Sequence, residues 1–176
     1  MEIWDLYNEN RELTGKTHPR GEKIPEGFYH LAVHVWIRNS KGEFLISKRS
    51  ADRPKFPMMY ECVGGSALAG EDSLAAALRE TKEEVGVDLD KSCGRVVFSV
   101  VGREINEKKF SDILDVWVFD YDGAVDLMEA TTDEVCELKW MSVRKIKELM
   151  TEGKLVYTLE YFFEKIAPAQ FEEGEV

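Results

Sequence analysis

Apolar residues divide this chain into stretches that alternate and stretches that recur at helical spacing. Residues 29–37 mix β-branched and aromatic side chains and predict a strand. The run Asn39-Ser-Lys-Gly42 is a turn, and 43–49 predicts a second strand returning from it as a hairpin. Residues 50–57 form a polar, proline-containing loop, and 60–63 a short strand entering a Gly64-Gly65 turn. Leu74, Ala77, Leu78, Thr81 and Val85 then fall on one face of a helix over roughly 73–85, which Gly86 ends. Strands follow over 94–102, 113–121 and 136–141, separated by a charged loop (103–112) and an acidic one (122–134). Ser142 caps a helix over 143–151 that Gly153 ends. A last helix over 158–166 is expected to turn Leu159, Phe162 and Phe163 inward. The order of these elements is an α+β pattern with a mixed sheet rather than alternating βαβ units.

Residues 1–27 precede this pattern as a polar lead-in. Asn8-Glu9-Asn10 and Thr14-Gly15-Lys16 read as turns joining two short strands, with Trp4, Leu6 and Tyr7 as anchors. The lead-in either covers a sheet edge or reaches a partner subunit, which makes a homodimer an expectation. Residues 168–176 are expected to be a flexible acidic tail. The remaining span, 28–167, is one domain, in keeping with a chain of 176 residues.

Composition narrows the function classes. A formal net charge of −11 leaves no basic stripe for a nucleic-acid polymer. It leaves room for a small anionic substrate, because divalent metals supply local positive charge. The three cysteines, Cys62, Cys93 and Cys136, lack zinc spacing and read as reduced thiols of a cytoplasmic protein. No apolar run approaches the length of a membrane span, so no membrane role is expected.

The helix over 73–85 carries the chemistry. Glu80, Glu83 and Glu84 crowd one arc, where like charges repel. Hard divalent cations, which take carboxylate oxygens, would turn that repulsion into coordination. Taken alone, such a face is an ordinary solvated one. The wider spacing changes the balance: from Gly65 the chain reads G-x5-E-x7-R-E-T-x-E-E-x-G-V. Gly65, Glu71, Arg79, Glu80, Glu83, Glu84, Gly86 and Val87 reproduce the box of the Nudix hydrolases, which this chain resembles. One position departs: Thr81 stands where the box has a bulky aliphatic residue. Its methyl can still pack and its hydroxyl can bond a carbonyl one turn back.

The resemblance implies an α/β/α sandwich around a mixed sheet, and hydrolysis of a nucleoside diphosphate linked to another moiety with Mg²⁺ or Mn²⁺. It implies that Glu80, Glu83, Glu84 and the Gly65 carbonyl hold metal, with Glu80, Glu83 and Glu84 as the catalytic set. Glu71, Arg79 and Gly86 would be structural. The general base would lie in the box or in a later loop, where Glu104, Glu107, Asp112, Glu129, Asp133 and Glu134 are candidates. Lys48 and Arg49 read either as sheet-edge charges or as phosphate contacts. His30 and His34 share one strand face and read as structural or as ligands. Trp36, Trp117 and Trp140 read as core, and Cys62 as a small buried hydrophobe.

Two other functions compete. Residues 29–49 resemble isopentenyl-diphosphate isomerase, but Gly64 and Ser66 stand where that enzyme has its cysteine and histidine, and Cys62 comes two residues early. A non-catalytic nucleotide sensor would be suggested by a degenerate box, and this box is nearly intact.

Overall fold

The computed structural model describes residues 1–167. The strands are β1 (Ile3–Tyr7), β2 (Leu13–Pro19), β3 (His30–Arg38), β4 (Phe44–Arg49), β5 (Tyr60–Glu61) and β6 (Val63–Ser66). They continue with β7 (Gly94–Val101), β8 (Glu104–Ile105), β9 (Lys108–Lys109), β10 (Asp112–Asp120) and β11 (Val135–Met141). The helices are α1 (Ser73–Val85), α2 (Val143–Thr151) and α3 (Phe162–Lys165). The main sheet runs β11-β4-β3-β10-β7, with β5 on β4 and β6 on β3. It is mixed: β10 runs parallel to β3 and antiparallel to β7.

Alternation along β3 feeds two cores. Leu31, Val33, Val35 and Ile37 point to the face that α1 covers, where they meet Ala76, Ala77, Val85, Ile113 and Phe119. Trp36 points the other way, into a core built with Leu114, Val116, Ile146, Leu149, Leu159 and Phe162. Helices on both faces of a mixed sheet make this the α/β/α sandwich expected. No helix among the described residues is long and apolar enough to cross a membrane. The acidic tail expected over 168–176 lies outside the described residues.

Four expectations about local structure change. Thr14-Gly15-Lys16 is not a turn but an irregularity inside β2, where pairing shifts between Asp5/Thr17 and Tyr7/Leu13. Gly15 takes its left-handed φ of 72° there, and the Thr14 hydroxyl donates to the Leu6 carbonyl at 2.8 Å. Gly64-Gly65 is likewise strand, paired with His34 and Val33 of β3. Glycine is required there for close approach: a Cβ on Gly64 would sit 2.8 Å from the Val33 carbonyl oxygen. The β3–β4 hairpin forms at its base, where Arg38 pairs Phe44, and then splays to admit β5 and β6. The last helix breaks into a 3₁₀ turn (Tyr157–Leu159) and α3, leaving Leu159 and Phe162 buried but Phe163 only half-buried. Tyr161, between the two pieces, turns in to meet His34 (2.7 Å) and Trp36 (3.1 Å).

The lead-in is folded onto its own chain. β1 and β2 form a hairpin whose Trp4 and Leu6 are buried, with Trp4 stacked on His30. The loop over 103–112 contains the small β8–β9 hairpin, turned by Asn106 and Glu107 at positive φ.

Candidate active site

α1 begins at a built cap: the Asp72 carboxylate accepts from the Ala75 N–H at 2.8 Å. It ends at Gly86, whose N–H returns to the Lys82 carbonyl from a left-handed φ of 73°. A Cβ at Gly86 would lie 2.7 Å from the Ala130 nitrogen, so the loop after β10 packs directly on the helix end. Thr131 and Thr132 donate to the Glu83 carbonyl at 3.0 and 3.1 Å, covering an orphan acceptor of the last turn. Thr81 is buried and bonds the Ala77 carbonyl at 2.8 Å, the back-bond its place in the helix suggests.

Arg79 is the hub of the motif. Its Nε and Nη2 fork onto Glu71 at 2.8 and 3.0 Å, and Nη2 also reaches the Ser66 carbonyl at 3.0 Å. Its Nη1 meets Glu83 at 2.8 Å and Glu80 at 3.0 Å. Glu71 in turn accepts from the Leu68 N–H at 2.9 Å. Burial would raise the Glu71 carboxyl, but Arg79 and that N–H together hold it below its ordinary value. The Glu71–Arg79 fork thus ties the loop before α1 to the middle of the helix.

The remaining carboxylates sit differently. Glu80 lies over β6: a Cβ built on Gly65 would fall 2.0 Å from its Oε1. Burial pushes the Glu80 carboxyl up to about 7 against the pull of Arg79, with Glu83 and Glu134 adding to the rise. Glu84 is buried, and the Gly64 N–H donates to it at a long 3.3 Å. Burial, then Glu61 and Glu80, drive the Glu84 carboxyl well up. A buried carboxylate surrounded by like charge is an expensive arrangement for an isolated helix.

Glu61 was not among the residues singled out from sequence. It lies on β5 between Tyr60 and Cys62, and only the pairing of that strand with β4, opposite buried Ser47, brings it to the site. It binds the Arg49 guanidinium at 2.5 Å, and burial outweighs that partner to raise its carboxyl. Glu134, from the acidic loop, is held by Arg53 at 2.5 Å and adds to the rise at Glu61, Glu80 and Glu84. Arg49 therefore belongs to this cluster. Lys48, one residue earlier, alternates to the other face, over the Tyr60 ring at 5.3 Å. Of the other loop acids, Glu104 and Glu107 are exposed on the β8–β9 segment. Asp112 is buried against Arg103, Glu129 packs at Gly86, and the Asp133 carbonyl accepts from Ser50.

The histidines have structural partners. His30 bonds the Ser111 carbonyl at 3.0 Å, and His34 the Tyr161 hydroxyl at 2.7 Å, on the face opposite α1. Burial holds the His34 imidazole down to about 3. Trp36 is fully buried, while Trp117 and Trp140 pack half-buried against the core under α1. Cys62 lies in the opposite core, its thiol pushed up by burial.

The donors around α1 fit a hard divalent cation in kind: they are carboxylate oxygens, with Glu84 buried and Glu80 half-buried beside a glycine strand that offers few N–H partners. Among the described residues, no three His, Cys, Asp or Glu side chains converge into a ready-made ligand set. Arg79 instead engages Glu80 and Glu83.

A family model for the NUDIX domain matches residues 28–161. The chain belongs to the Nudix family. It is 42% identical over 164 residues to a Nudix hydrolase of Listeria innocua, covering 93% of this chain and 91% of the relative. Among solved structures, DR0079 from Deinococcus radiodurans matches with a TM-score of 0.68 at 22% identity, covering 88% of this chain and 92% of that one. An isopentenyl-diphosphate Δ-isomerase of Photorhabdus laumondii is a more distant relative, 28% identical over 145 residues, covering 80% of this chain and 77% of its own. The chain is thus a Nudix hydrolase, of a family that acts on small-molecule diphosphates and generally needs divalent metal cations.

Proposed function

We propose that this Nudix hydrolase cleaves a phosphoanhydride bond in a nucleoside diphosphate-X or similar organic diphosphate, with Mg²⁺ or Mn²⁺ as its ion. The observation that carries the reading is the pair of buried Glu84 and half-buried Glu80, set against Gly64-Gly65 and beside Glu61. Glu80, Glu83, Glu84 and the Gly65 carbonyl would hold the ion, which when bound polarises phosphoryl oxygens and lowers the pKa of a water. Glu71 and Arg79 hold the loop and helix that present these groups.

Arg49 and Arg53 face the same cluster through Glu61 and Glu134. A substrate phosphate would exchange with those carboxylates for the planar guanidinium donors. We take Glu134 as the acid outside the motif that receives a proton from water. Its support is that its negative charge adds to the rise at both Glu80 and Glu84. Lys48 has no comparable support.

The isomerase is the second reading, favoured by the distant relative. Against it, Gly64 and Ser66 occupy the positions of its thiol and imidazole, and Cys62 is buried in the opposite core. A panel of dinucleotides, nucleotide sugars and isoprenoid diphosphates with Mg²⁺, Mn²⁺ or chelator distinguishes the readings. Metal-dependent release of phosphate or a monophosphate supports the hydrolase. Isotope exchange into isopentenyl diphosphate without release supports the isomerase instead, and binding without either reaction supports a sensor.

A further inference from the structure

The β1–β2 hairpin lies outside the span matched by the family model, yet it bonds directly to the loop that launches the motif helix. The Ile3 carbonyl accepts from the Ala69 N–H at 2.8 Å. The Asp5 carboxylate accepts from the Gly70 N–H at 2.7 Å, where Gly70 takes a left-handed φ of 86°. These are consecutive amides immediately before Glu71. Between them and the sheet, the loop closes on itself: Leu68 donates to the Glu71 carboxylate and Glu71 N–H to the Leu68 carbonyl, each at 2.9 Å.

A second tie comes from the hairpin's turn. Arg11 forks onto Asp115 at 2.7 and 2.9 Å, across the sheet face that α1 covers. Asp115 is buried and also accepts from the Ser99 hydroxyl at 2.5 Å, and the Ser73 hydroxyl beside it helps hold its carboxyl below the ordinary value. Ser73, the first residue of α1, in turn accepts from the Trp117 indole at 2.9 Å. The segment 68–73 is therefore gripped from outside by the hairpin and from below by β10. It carries Glu71, and Glu71 fixes Arg79, which touches Glu80 and Glu83.

We propose that the N-terminal hairpin is a positioning element of the catalytic helix, acting through Asp5 on Gly70 and through the Arg11–Asp115–Ser73 link. This rests on the hydrolase reading, and Asp5 is a positioning residue rather than a catalytic one. The charged acceptor holds a glycine turn that has no side chain of its own to brace it. Groups bonded directly to a metal ligand change metal affinity or activity by roughly 10–100-fold when lost; Asp5 acts further out, through Glu71 and Arg79, which sets its effect at the low end of that range.

The test uses the full chain with Asp5→Ala and Asp5→Asn, since an asparagine oxygen can still accept from Gly70. Three readouts are taken: kcat and KM on the best panel substrate, affinity for Mn²⁺ alone, and amide exchange over 69–84. For Asp5→Ala we expect kcat about tenfold lower, KM nearly unchanged, Mn²⁺ bound roughly tenfold more weakly and faster exchange over 69–84. Asp5→Asn is expected to recover most of each. If Asp5→Ala loosens only residues 1–20, with exchange over 69–84 and Mn²⁺ affinity at wild-type values, the hairpin is a cover and the proposal is overturned. If the wild type neither turns over nor binds Mn²⁺, the hydrolase reading fails. Exchange over 69–84 then decides the hairpin's role by itself, unchanged exchange overturning it.

Discussion

Substitution of Gly65 by alanine separates the site from the fold more cleanly than any carboxylate variant. The Gly65 backbone is not in the left-handed region, so alanine adds no strain of its own. Its Cβ would meet the Glu80 Oε1, Cδ and Oε2 atoms at 2.0, 2.2 and 2.6 Å, where ordinary contact begins at 3.4 Å. The carboxylate must therefore retreat by about 1.4 Å, and it can, because it is the far end of a flexible side chain. Stability should change by less than about 1 kcal/mol, a Tm shift of a few degrees. A misplacement of ~1 Å at a reacting centre removes roughly 10²-fold in rate, about 2.7 kcal/mol of transition-state stabilisation. Gly94→Ala is the opposite control. Its Cβ would strike the fully buried Phe119 ring at 2.1 Å, which has nowhere to go. There the expected loss is about 1–3 kcal/mol of stability with kcat preserved. Calorimetry and initial rates on both proteins read the two axes. Wild-type kcat and metal affinity in Gly65→Ala would refute the reasoning, because Glu80 would then have no work to do against β6.

Three further outcomes follow from the same contacts. Burial would raise the Asp115 carboxyl, but hydrogen bonds from Arg11, Ser99 and Ser73 hold it below its ordinary value. A folded pKa below the unfolded one gives stability that is full above about pH 4–5 and is lost as pH falls through the folded value. Asp115→Asn should flatten that acid limb in urea melts from about pH 5 to 2. Thr81→Val removes a buried hydroxyl whose acceptor, the Ala77 carbonyl, keeps its helical bond. It should leave kcat unchanged and shift the urea midpoint by no more than about 1 kcal/mol. Arg79→Lys cannot fork onto Glu71 while reaching Ser66 and Glu83. It should cost about 2 kcal/mol in denaturant melts and weaken Mn²⁺ binding in titration, with Glu71→Gln giving a similar loss.

Much of the site was legible because its residues are local. Gly65 to Val87 run from the end of one strand through one loop and one helix, so spacing alone brings Glu71, Arg79, Glu80, Glu83 and Glu84 together. Glu61 was invisible for the opposite reason: only the pairing of β5 with β4 turns it toward α1 and Arg49. The Arg11–Asp115 fork joins residues more than a hundred positions apart, and no period connects them. The glycines show how a correct residue can suggest the wrong element. Gly64-Gly65 and Gly15 carry turn chemistry, but the structure uses them for close approach and for an irregular strand. Lys48 and Arg49 were indistinguishable until strand alternation put one over Tyr60 and the other on Glu61.

The central claim is that α1 presents its carboxylates to a divalent ion for phosphoanhydride cleavage. The direct measurement compares wild type and Glu84→Gln on the best diphosphate substrate with Mg²⁺, following product release and Mn²⁺ affinity together. Glutamine keeps the volume of this buried side chain and removes its charge. If α1 holds the ion, kcat falls by at least about 10²-fold, with weaker Mn²⁺ binding and a folded protein. Equal rates for the two proteins on every substrate that the wild type cleaves would contradict it.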